Sequence, residues 1–343
     1  MTPRDIVLAQ LSHRETAPVP YVLPMEPTVA EQLDRHYGSA GWRQRLTPFL
    51  VSHFSIDTIR EQAISPTHGR DIFGSIWRGD CRPWHLEKPA LAHSSFDGFT
   101  FPSLDQFLDP VAPGREEAIR AIRQDREHYH FIGMGWGIFE QTWRIRGFEN
   151  ALIDSIAEPG FYEEMVGRLT DLYVELVKAC ADVPADAIFF GDDWGDQRGP
   201  ILGAARWRRF IKPAWKRIYA EVHRQGKTVI AHSCGSVREL MPDIVEIGLD
   251  VLESCQPEAA GMDPRELKAG WGGKLVFYGC LGSQRLIPFG TPDAIRAEVG
   301  RLCRDMGRGG GFILAPAKPL QPETPVANAV ALLEAFTRQE ACE

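Results

Sequence analysis

Residues 228–247 read TVIAHSCGSVRELMPDIVEI: a short apolar run, a polar turn and then an amphipathic segment. The run Thr228–Ala231 is rich in β-branched residues, which is typical of a buried strand, and Val237–Ile247 has helical spacing. A strand followed directly by a helix is the repeating unit of parallel α/β folds. The stretch therefore predicts one βα unit, with His232-Ser233-Cys234-Gly235 at the carboxyl end of its strand.

The same alternation extends over most of the chain. Further strands are predicted at Val19–Leu23, Ser55–Ile59, His130–Met134, Ala187–Gly191, Asp250–Glu253, Leu275–Tyr278 and Phe312–Ala315. Further helices are predicted at Pro159–Ala181, Ala204–Gln225, Pro264–Ala269, Pro292–Arg304 and Thr324–Arg338. Eight strands with helices between them favour an α/β fold that closes as a (β/α)8 barrel of the TIM type. No Gly-x-Gly-x-x-Gly fingerprint follows an early strand, which argues against a dinucleotide-binding fold.

Residues 60–128 interrupt this alternation. They are irregular in pattern and rich in Pro, Gly, His and Trp. A length of 343 residues is within the usual range of one barrel domain. We therefore predict a single domain over residues 1–343, in which residues 60–128 form an irregular insertion that caps the barrel.

The composition is that of an ordinary globular protein and excludes several functional classes. The formal net charge is −8 with acids and bases interspersed, which argues against a nucleic-acid partner. The first residues lack the basic and apolar regions of a signal peptide, and no apolar run approaches the ~18 residues of a membrane span. The 7 cysteines show no disulfide-framework spacing. These features predict a cytoplasmic protein with free thiols and no membrane contact.

His232 and Cys234 are predicted to bind a metal ion. Residues i and i+2 of an extended segment point to the same side, and imidazole with thiolate is a zinc pairing. The start of the following helix also favours a thiolate. The alternative is a satisfied core histidine beside a buried cysteine. Cys280, at the end of a later strand, is the predicted third ligand, with Glu253 and Cys255 as further candidates at the same end of the barrel.

Three carboxylates follow the strand Ala187–Gly191, namely Asp192, Asp193 and Asp196. Because they are so close in sequence, one is expected to have a raised pKa and to act as an acid. Asp192 and Asp193 are the predicted catalytic residues. Binding of a cationic group, donation to a metal and capping of the next helix are the alternatives.

Other polar and aromatic side chains after strands are predicted to bind a substrate, because barrel enzymes carry their sites at the carboxyl ends of the strands. They are Trp136, Glu140, Trp194, Gln197, Gln284 and Lys318. Trp194 would form an aromatic wall, with a core position as the alternative. Lys318 would bind a carboxylate or another anion.

Taken together, the motifs of this chain resemble those of the uroporphyrinogen decarboxylase superfamily over nearly the whole length. The resemblance is carried by residues 2–11 (TPRDIVLAQL), 71–74 (DIFG), 146–149 (RGFE), 191–197 (GDDWGDQ), 210–213 (FIKP), 232–235 (HSCG), 259–263 (AAGMD) and 288–292 (PFGTP). It implies a (β/α)8 barrel, which agrees with the strand count.

Within the superfamily the chain looks closer to the corrinoid- and zinc-dependent methyltransferases than to the haem-pathway decarboxylases. Residues 22–27, VLPMEP, lack the arginines with which those decarboxylases bind substrate carboxylates. Residues 232–235 are similar to the zinc-binding block of the methyltransferases, in which zinc activates a methyl acceptor or polarises a methyl donor opposite a corrinoid cobalt. The resemblance also implies a third zinc ligand, a cysteine, where this chain has Lys318.

Three functions follow from these observations. The first is a zinc-dependent methyltransferase that acts with a separate corrinoid protein on a small methylated substrate or thiol acceptor, with Asp192 or Asp193 as the acid. The second is a metal-independent decarboxylase or lyase of a small carboxylic acid, in which Lys318 binds the carboxylate. The third is a non-catalytic protein that binds a small molecule or a corrinoid partner. A homodimer is also expected, because dimers are common in the superfamily.

Overall fold

The computed structural model describes residues 1–58, 61–80 and 84–339. Its strands, in chain order, are β1 (Leu50–Ile56), β2 (Glu61–Ala63), β3 (His68–Asp71), β4 (Ile76–Arg78), β5 (His85–Lys88), β6 (Tyr129–Trp136), β7 (Ala187–Gly191), β8 (Thr228–Ser233), β9 (Val251–Ser254), β10 (Val276–Leu281) and β11 (Phe312–Pro316). A parallel sheet in the order β1-β6-β7-β8-β9-β10-β11 forms the centre of the molecule. The smaller sheet is antiparallel, in the order β2-β3-β4-β5.

The helices surround the parallel sheet. They are α1 (Pro3–Leu11), α2 (Pro27–Tyr37), α3 (Leu104–Leu108), α4 (Ala112–Gln124), α5 (Ile138–Arg146), α6 (Phe148–Ala157), α7 (Pro159–Ala179), α8 (Ala204–Arg206), α9 (Lys212–Arg224), α10 (Met241–Glu246), α11 (Pro264–Trp271), α12 (Leu286–Phe289), α13 (Pro292–Gly307) and α14 (Val326–Arg338). A π-helical segment, Trp207–Ile211, joins α8 to α9. Short 3-10 turns lie at Ala40–Arg45 and Arg238–Leu240.

Several helices begin where the sequence supplies both a cap and a proline. The side chain of Thr291 accepts a hydrogen bond at the start of α13, and Asp263 does so at the start of α11. Each cap precedes a proline, whose fixed φ suits the first helical turn and whose missing N–H is not needed there. These local signals explain why the helices after β9 and β10 begin close to the predicted positions.

The parallel strands agree with the sequence-based expectation. All residues of β10 and β11 are buried, as expected for strands that are covered on both faces. The sheet curls so that the fold is a TIM-type barrel, as predicted. The predicted first strand, Val19–Leu23, is reduced to a bridge between Tyr21 and Leu314, with a second bridge between Met25 and Leu320.

This extended segment nevertheless takes the eighth position of the barrel. The Val22 N–H donates to the Leu314 carbonyl oxygen of β11 at 2.9 Å, and the Leu314 N–H donates to the Pro20 carbonyl oxygen at 2.9 Å. The Tyr21 ring contacts Phe49, the residue before β1, at 5.1 Å between ring centroids. The segment thus lies between the two edge strands β11 and β1. The predicted strand Ser55–Ile59 overlaps only the last two residues of β1, which begins five residues earlier at Leu50, and Ile59 lies outside the described residues.

Residues 60–128 contain more regular structure than their sequence indicated. Strands β2 to β5 and helices α3 and α4 fall in this stretch, and α4 packs against β1 as the crossover to β6. The antiparallel sheet contacts α5, where Arg144 lies over the ring of Trp77 at 4.1 Å and pairs with Asp71 at 3.4 Å. The stretch therefore joins the barrel at the end of β6. That the chain forms one domain stays a prediction.

Among the described residues, none of the helices combines the length and the apolar content needed to cross a bilayer. The thiols of Cys180, Cys234, Cys255 and Cys280 form no disulfide. Cys81 and Cys342 lie outside the described residues.

Candidate functional site

The register of the parallel sheet brings three polar segments together at the carboxyl ends of β7, β8 and β9. Gly191, the last residue of β7, pairs with His232 on β8, and His232 pairs with Glu253 on β9. Because neighbouring parallel strands end at the same level, Asp193 and Cys234, which follow β7 and β8, lie beside each other. The predicted working end of the barrel is therefore assembled by adjacent strands.

Asp193, His232 and Cys234 present one ligand atom each within 4.8 Å of one another, and we call them the Asp193–His232–Cys234 group. His232 Nε2 lies 3.3 Å from Asp193 Oδ1, and Cys234 Sγ lies 3.1 Å from Asp193 Oδ2. The Cys234 backbone N–H also donates to Asp193 Oδ1 at 2.9 Å. All three side chains are partly exposed, so an ion and a substrate could reach them.

The second nitrogen of the His232 ring is held by a carboxylate from the next strand. His232 Nδ1 is hydrogen-bonded to Glu253 Oε2, which leaves Nε2 facing Asp193 and Cys234. Burial opposes the charged imidazolium, but the charge of Glu253 and the hydrogen bonds to it and to Asp193 raise the pKa of His232 well above its ordinary value. An imidazole oriented by a carboxylate on its far side is the usual second shell of a metal-bound histidine.

The predicted third ligand, Cys280, is not part of this group of ligand atoms in the described chain. Cys280 is buried, and its thiol lies next to that of Cys255. The Cys255 thiol donates a hydrogen bond to the Leu252 carbonyl oxygen, with an Sγ to oxygen distance of 3.2 Å. Burial and the neighbouring Cys280 raise the pKa of Cys255 well above its ordinary value, and both side chains are packed into the core. Asp193, predicted as a catalytic residue, takes the third position instead.

Asp192 occupies a closed, fully buried site. Its carboxylate accepts hydrogen bonds from the backbone N–H groups of Phe139 and Glu140, at 3.2 and 2.9 Å, and from the indole N–H groups of Trp194 and Trp215, at 2.7 and 2.8 Å. Burial raises the pKa of Asp192 to about 6 in spite of these donors. With four donors around it and no exposed surface, Asp192 holds the loop after β7 against α5.

Glu140 is the carboxyl group that lies beside the Asp193–His232–Cys234 group. The residue is only 8% exposed, and its carboxylate accepts a hydrogen bond from the backbone of Asp193. Burial, together with the charges of Asp193 and Asp192, raises the pKa of Glu140 well above its ordinary value. Burial works against ionisation of Asp193 as well, but hydrogen bonding to His232 and its charge lower the pKa of that carboxyl. The pKa values of the two neighbouring carboxyls are thus shifted in opposite directions, and the raised pKa of Glu140 suits it to carry a proton.

The loops after β7 and β8 touch through their backbones. A side chain at Gly195 would lie 2.6 Å from the Ser236 carbonyl oxygen, and one at Gly235 would lie 2.4 Å from the Gly195 carbonyl oxygen. Gly235 also has a φ of +74°, which favours glycine. These two glycines allow the close approach that places Asp193 against Cys234.

The remaining predicted site residues lie in varied surroundings. Trp194 is 1% exposed and packs on Trp207 and Trp215 in the core, which leaves no ring surface for a substrate. Gln197 and Gln284 are exposed, with Gln197 Oε1 accepting from Gln256 at 3.4 Å and Gln284 N donating to Glu258 at 2.8 Å.

Two further predicted residues line separate cavities. Trp136 lines an aromatic cavity of about 670 Å³ together with Trp77, Trp143 and Arg144, and Arg144 lies 4.6 Å from the Trp136 ring. Lys318 is exposed after β11 and lines a much smaller pocket.

Asp196 closes its own turn, since its carboxylate accepts from the backbone N–H groups two and three residues later, at 2.7 and 2.9 Å. Asp196 therefore has a local structural role in the loop after β7.

Asp193 and Glu253 were both named from the sequence, but each lies in a position that suits another role than the main one predicted for it. Asp193 was expected to act as an acid, with donation to a metal as an alternative. The signal for a ligand role was its place two residues after the end of β7, which neighbours β8. Glu253 was a candidate ligand, and the structure places it behind His232. A separate His53–Asp125–His130 group, whose ligand atoms also lie within 4.8 Å, was missed because none of its members follows a strand.

Comparisons with known proteins bear on the family. The family model described as Uroporphyrinogen decarboxylase (URO-D) matches residues 85–339. Proteins named "Uroporphyrinogen decarboxylase" from Bacillus cereus (strain B4264) and Bacillus anthracis are 31% identical over 107 residues, which is 31% of this chain and 29% of each relative. The matched segment is thus less than a third of the length of these curated relatives.

A solved structure extends the likeness to the whole fold. The "methyltransferase from Methanosarcina mazei" superposes with a TM-score of 0.72, covering 99% of this chain and 100% of the other, at 20% sequence identity. At this identity the superposition shows a shared fold. With the family model matching well over half of the chain, the protein belongs to the uroporphyrinogen decarboxylase (URO-D) family.

Proposed function

We propose that this chain is a zinc-dependent methyltransferase that works with a separate corrinoid protein on a small methylated substrate or thiol acceptor. The observation that carries the proposal is the Asp193–His232–Cys234 group at the carboxyl end of the barrel. Three protein ligands with a remaining open position are the usual arrangement of a catalytic zinc site. Membership of the URO-D family and the shared fold with a methyltransferase are consistent with this activity.

The residues present fit zinc by their chemistry. A thiolate, an imidazole and a carboxylate are all common zinc ligands. His232 offers Nε2 to the group while Glu253 holds Nδ1, which is the orientation that a metal-bound histidine requires. Asp193 supplies the carboxylate in place of the third cysteine that the resemblance implied.

Zinc bound there would act as a Lewis acid on the heteroatom that loses or gains the methyl group. In demethylation the electron pair of the methyl–heteroatom bond would stay on the heteroatom, and a reduced corrinoid on the partner would supply the pair for its new bond to the methyl group. In the reverse direction the thiol sulfur would supply the pair and lose its proton, and the corrinoid would keep the pair of the broken methyl–cobalt bond. Glu140 would exchange a proton with that heteroatom, because its carboxyl lies beside Asp193 and burial with the nearby carboxylates raises its pKa well above the ordinary value. The proton role expected for Asp192 or Asp193 passes to Glu140, since Asp192 is enclosed and Asp193 faces His232.

Metal content tests the first half of the proposal. Protein purified without chelator should lose one equivalent of zinc on Cys234→Ala and on His232→Ala. Cys255→Ala and Cys280→Ala are matched controls, since these thiols lie outside the group and should leave the zinc content unchanged. Equal zinc content in the wild type and in Cys234→Ala would contradict the proposal.

Methyl transfer tests the second half. Free methylcobalamin is the donor and a panel of small thiols supplies acceptors, with loss of the methyl–cobalt bond followed by visible absorbance. We expect turnover that depends on Cys234 and is abolished by chelator. The stoichiometry should be one methylated thiol for each methylcobalamin consumed.

A metal-independent decarboxylase is the second candidate. The observation in its favour is the exposed ammonium group of Lys318 just beyond β11, at the same end of the barrel as Glu140. Release of carbon dioxide from a small carboxylic acid, unaffected by chelator and lost in Lys318→Ala, would support this activity over methyl transfer. Binding of methylcobalamin without turnover of thiols or acids would instead support a non-catalytic binding protein.

A further inference from the structure

A second cluster of metal-binding side chains lies away from the carboxyl ends of the strands. His53, Asp125 and His130 each offer one ligand atom, and these atoms lie within 4.8 Å of one another. His130 is the second residue of β6, several residues before Trp136, where the strand ends. The His53–Asp125–His130 group is therefore separate from the site described above.

A β-bulge in β1 brings His53 to this position. Val51 pairs with His130, but the next paired residue, Phe54, lies opposite Ile132, so β1 has one residue more than β6 in this interval. Bulges turn a side chain away from the regular alternation of the strand. His53 is exposed while the neighbouring Phe54 is buried, so the imidazole is accessible from solvent.

The backbone after α4 fixes the carboxylate of Asp125. Its Oδ1 atom accepts hydrogen bonds from the N–H groups of Glu127 and His128, at 3.0 and 3.2 Å. Its Oδ2 atom faces two imidazoles, at 2.7 Å from His128 Nδ1 and 3.4 Å from His130 Nε2. The Oδ1 atom thus stabilises the turn after α4, and the Oδ2 atom lies close to the rings of His128 and His130.

The chain alone does not satisfy the buried ring of His130. The residue is 2% exposed, and its Nε2 atom lies 3.3 Å from the Asp125 carbonyl oxygen. Its Nδ1 atom has no hydrogen-bond partner within the described ranges. A buried polar atom without a partner is uncommon and is expected where an ion or ordered water completes the surroundings.

From this geometry we propose that His53, Asp125 and His130 bind a divalent transition-metal ion of the zinc type. Two imidazoles and one carboxylate suit such ions, whereas Mg²⁺ and Ca²⁺ prefer oxygen ligands. His128, hydrogen-bonded to Asp125, positions the carboxylate from the outer shell. The ion would tie the edge strand β1 and the end of α4 to β6. The group contains no thiol, in contrast to the Asp193–His232–Cys234 group.

Cobalt(II) added to the metal-free full-length protein separates the two groups, because only a thiolate ligand gives a sulfur-to-cobalt charge-transfer band. We expect the wild type to bind two equivalents. Cys234→Ala should lose the charge-transfer band and keep one equivalent. His53→Ala should keep the band and lose the other equivalent, with at least about tenfold weaker binding there. His93→Ala, an exposed histidine outside both groups, is the control.

Since His53 is exposed, its replacement should leave the unfolding midpoint of the metal-free protein unchanged, which checks that the variant is folded. Asp125→Asn gives a second test from another element, with the same expected loss. Equal cobalt binding by His53→Ala and the wild type, or no cobalt bound by Cys234→Ala, would overturn the proposal. A wild type without the charge-transfer band that still binds one His53-dependent equivalent would contradict the proposed zinc function and support this second site.

Discussion

His232 and Glu253 are joined across neighbouring strands by a hydrogen bond between Nδ1 and Oε2. The two residues are direct partners in the register of β8 and β9, so the contact is a consequence of sheet pairing. It determines which nitrogen of the imidazole faces Asp193 and Cys234. The chemistry proposed for the site therefore depends on a residue that is not itself a member of the ligand group.

We predict that Glu253→Gln weakens zinc binding at the Asp193–His232–Cys234 group by about 10- to 100-fold, because the amide keeps a hydrogen bond but loses the charge that makes His232 a better ligand. Competition with a chromophoric chelator measures the affinity. Glu239→Gln, an exposed carboxylate close by in sequence, is the matched control and should leave the affinity unchanged. Equal affinities for the two variants would show that Glu253 does not act on the ligand.

Asp192→Asn should destabilise the fold by about 1–3 kcal/mol, because an amide in place of the carboxylate directs N–H atoms at a buried donor. The carboxylate now accepts from the backbone of Phe139 and Glu140 and from the indoles of Trp194 and Trp215. Urea unfolding of the metal-free protein measures the loss. An unchanged midpoint would contradict the structural role given to Asp192.

Asp193→Asn provides the comparison within the same dipeptide. Its carboxylate is partly exposed and faces His232 and Cys234, so we expect at least about tenfold weaker zinc binding with a smaller effect on unfolding than Asp192→Asn has. The two variants thus separate a loop anchor from a ligand. If both lost stability and neither lost zinc, the assignment of roles would be wrong.

Gly235→Ala should weaken zinc binding and lower stability by about 1–3 kcal/mol, since a residue with a side chain is strained at its φ of +74° and would meet the Gly195 carbonyl oxygen at 2.4 Å. Gly199→Ala in the facing loop is the control, because a Cβ atom there has open space. Thermal unfolding and zinc titration measure both effects. Similar behaviour of the two alanine variants would show that the loops need no close approach.

The His223–Asp250 pair predicts a pH-dependent contribution to stability. Its hydrogen bond at 2.9 Å to Asp250 raises the pKa of His223, so the protonated form is favoured in the folded state. The contribution is complete below the unfolded value of about 6.5 and is lost as the pH rises through the folded value. Both side chains are 40% exposed, so it should be under about 1 kcal/mol.

Unfolding of wild type and His223→Gln at several pH values tests this prediction. The free energy of unfolding of the wild type should exceed that of the variant by more at pH ~5.5 than at pH ~8.5. His36→Gln, on the exposed surface of α2, serves as the control. A difference between wild type and His223→Gln that grows with pH would contradict the sign.

The sequence by itself determined the elements whose evidence is local. Strand β7 has the predicted bounds, and β8 to β11 lie within a few residues of prediction, because short apolar runs bounded by polar turns and enriched in β-branched or aromatic residues are typical of buried strands. The pairing of His232 with Cys234 was also readable, since side chains two residues apart in an extended segment share a side. The predicted helix Pro292–Arg304 also begins at the observed position, where Thr291 caps it without reference to distant residues.

Only the tertiary structure decided which distant side chains meet. Asp193 joins His232 because β7 and β8 pair at Gly191, whereas Cys280, at the end of β10, turns to Cys255 in the core. His53 lies close to His130 because of the bulge in β1, which no local sequence pattern predicts. Local composition limits the conformations of a short segment, but the register between strands, and with it the ligand set, follows from packing across the whole barrel.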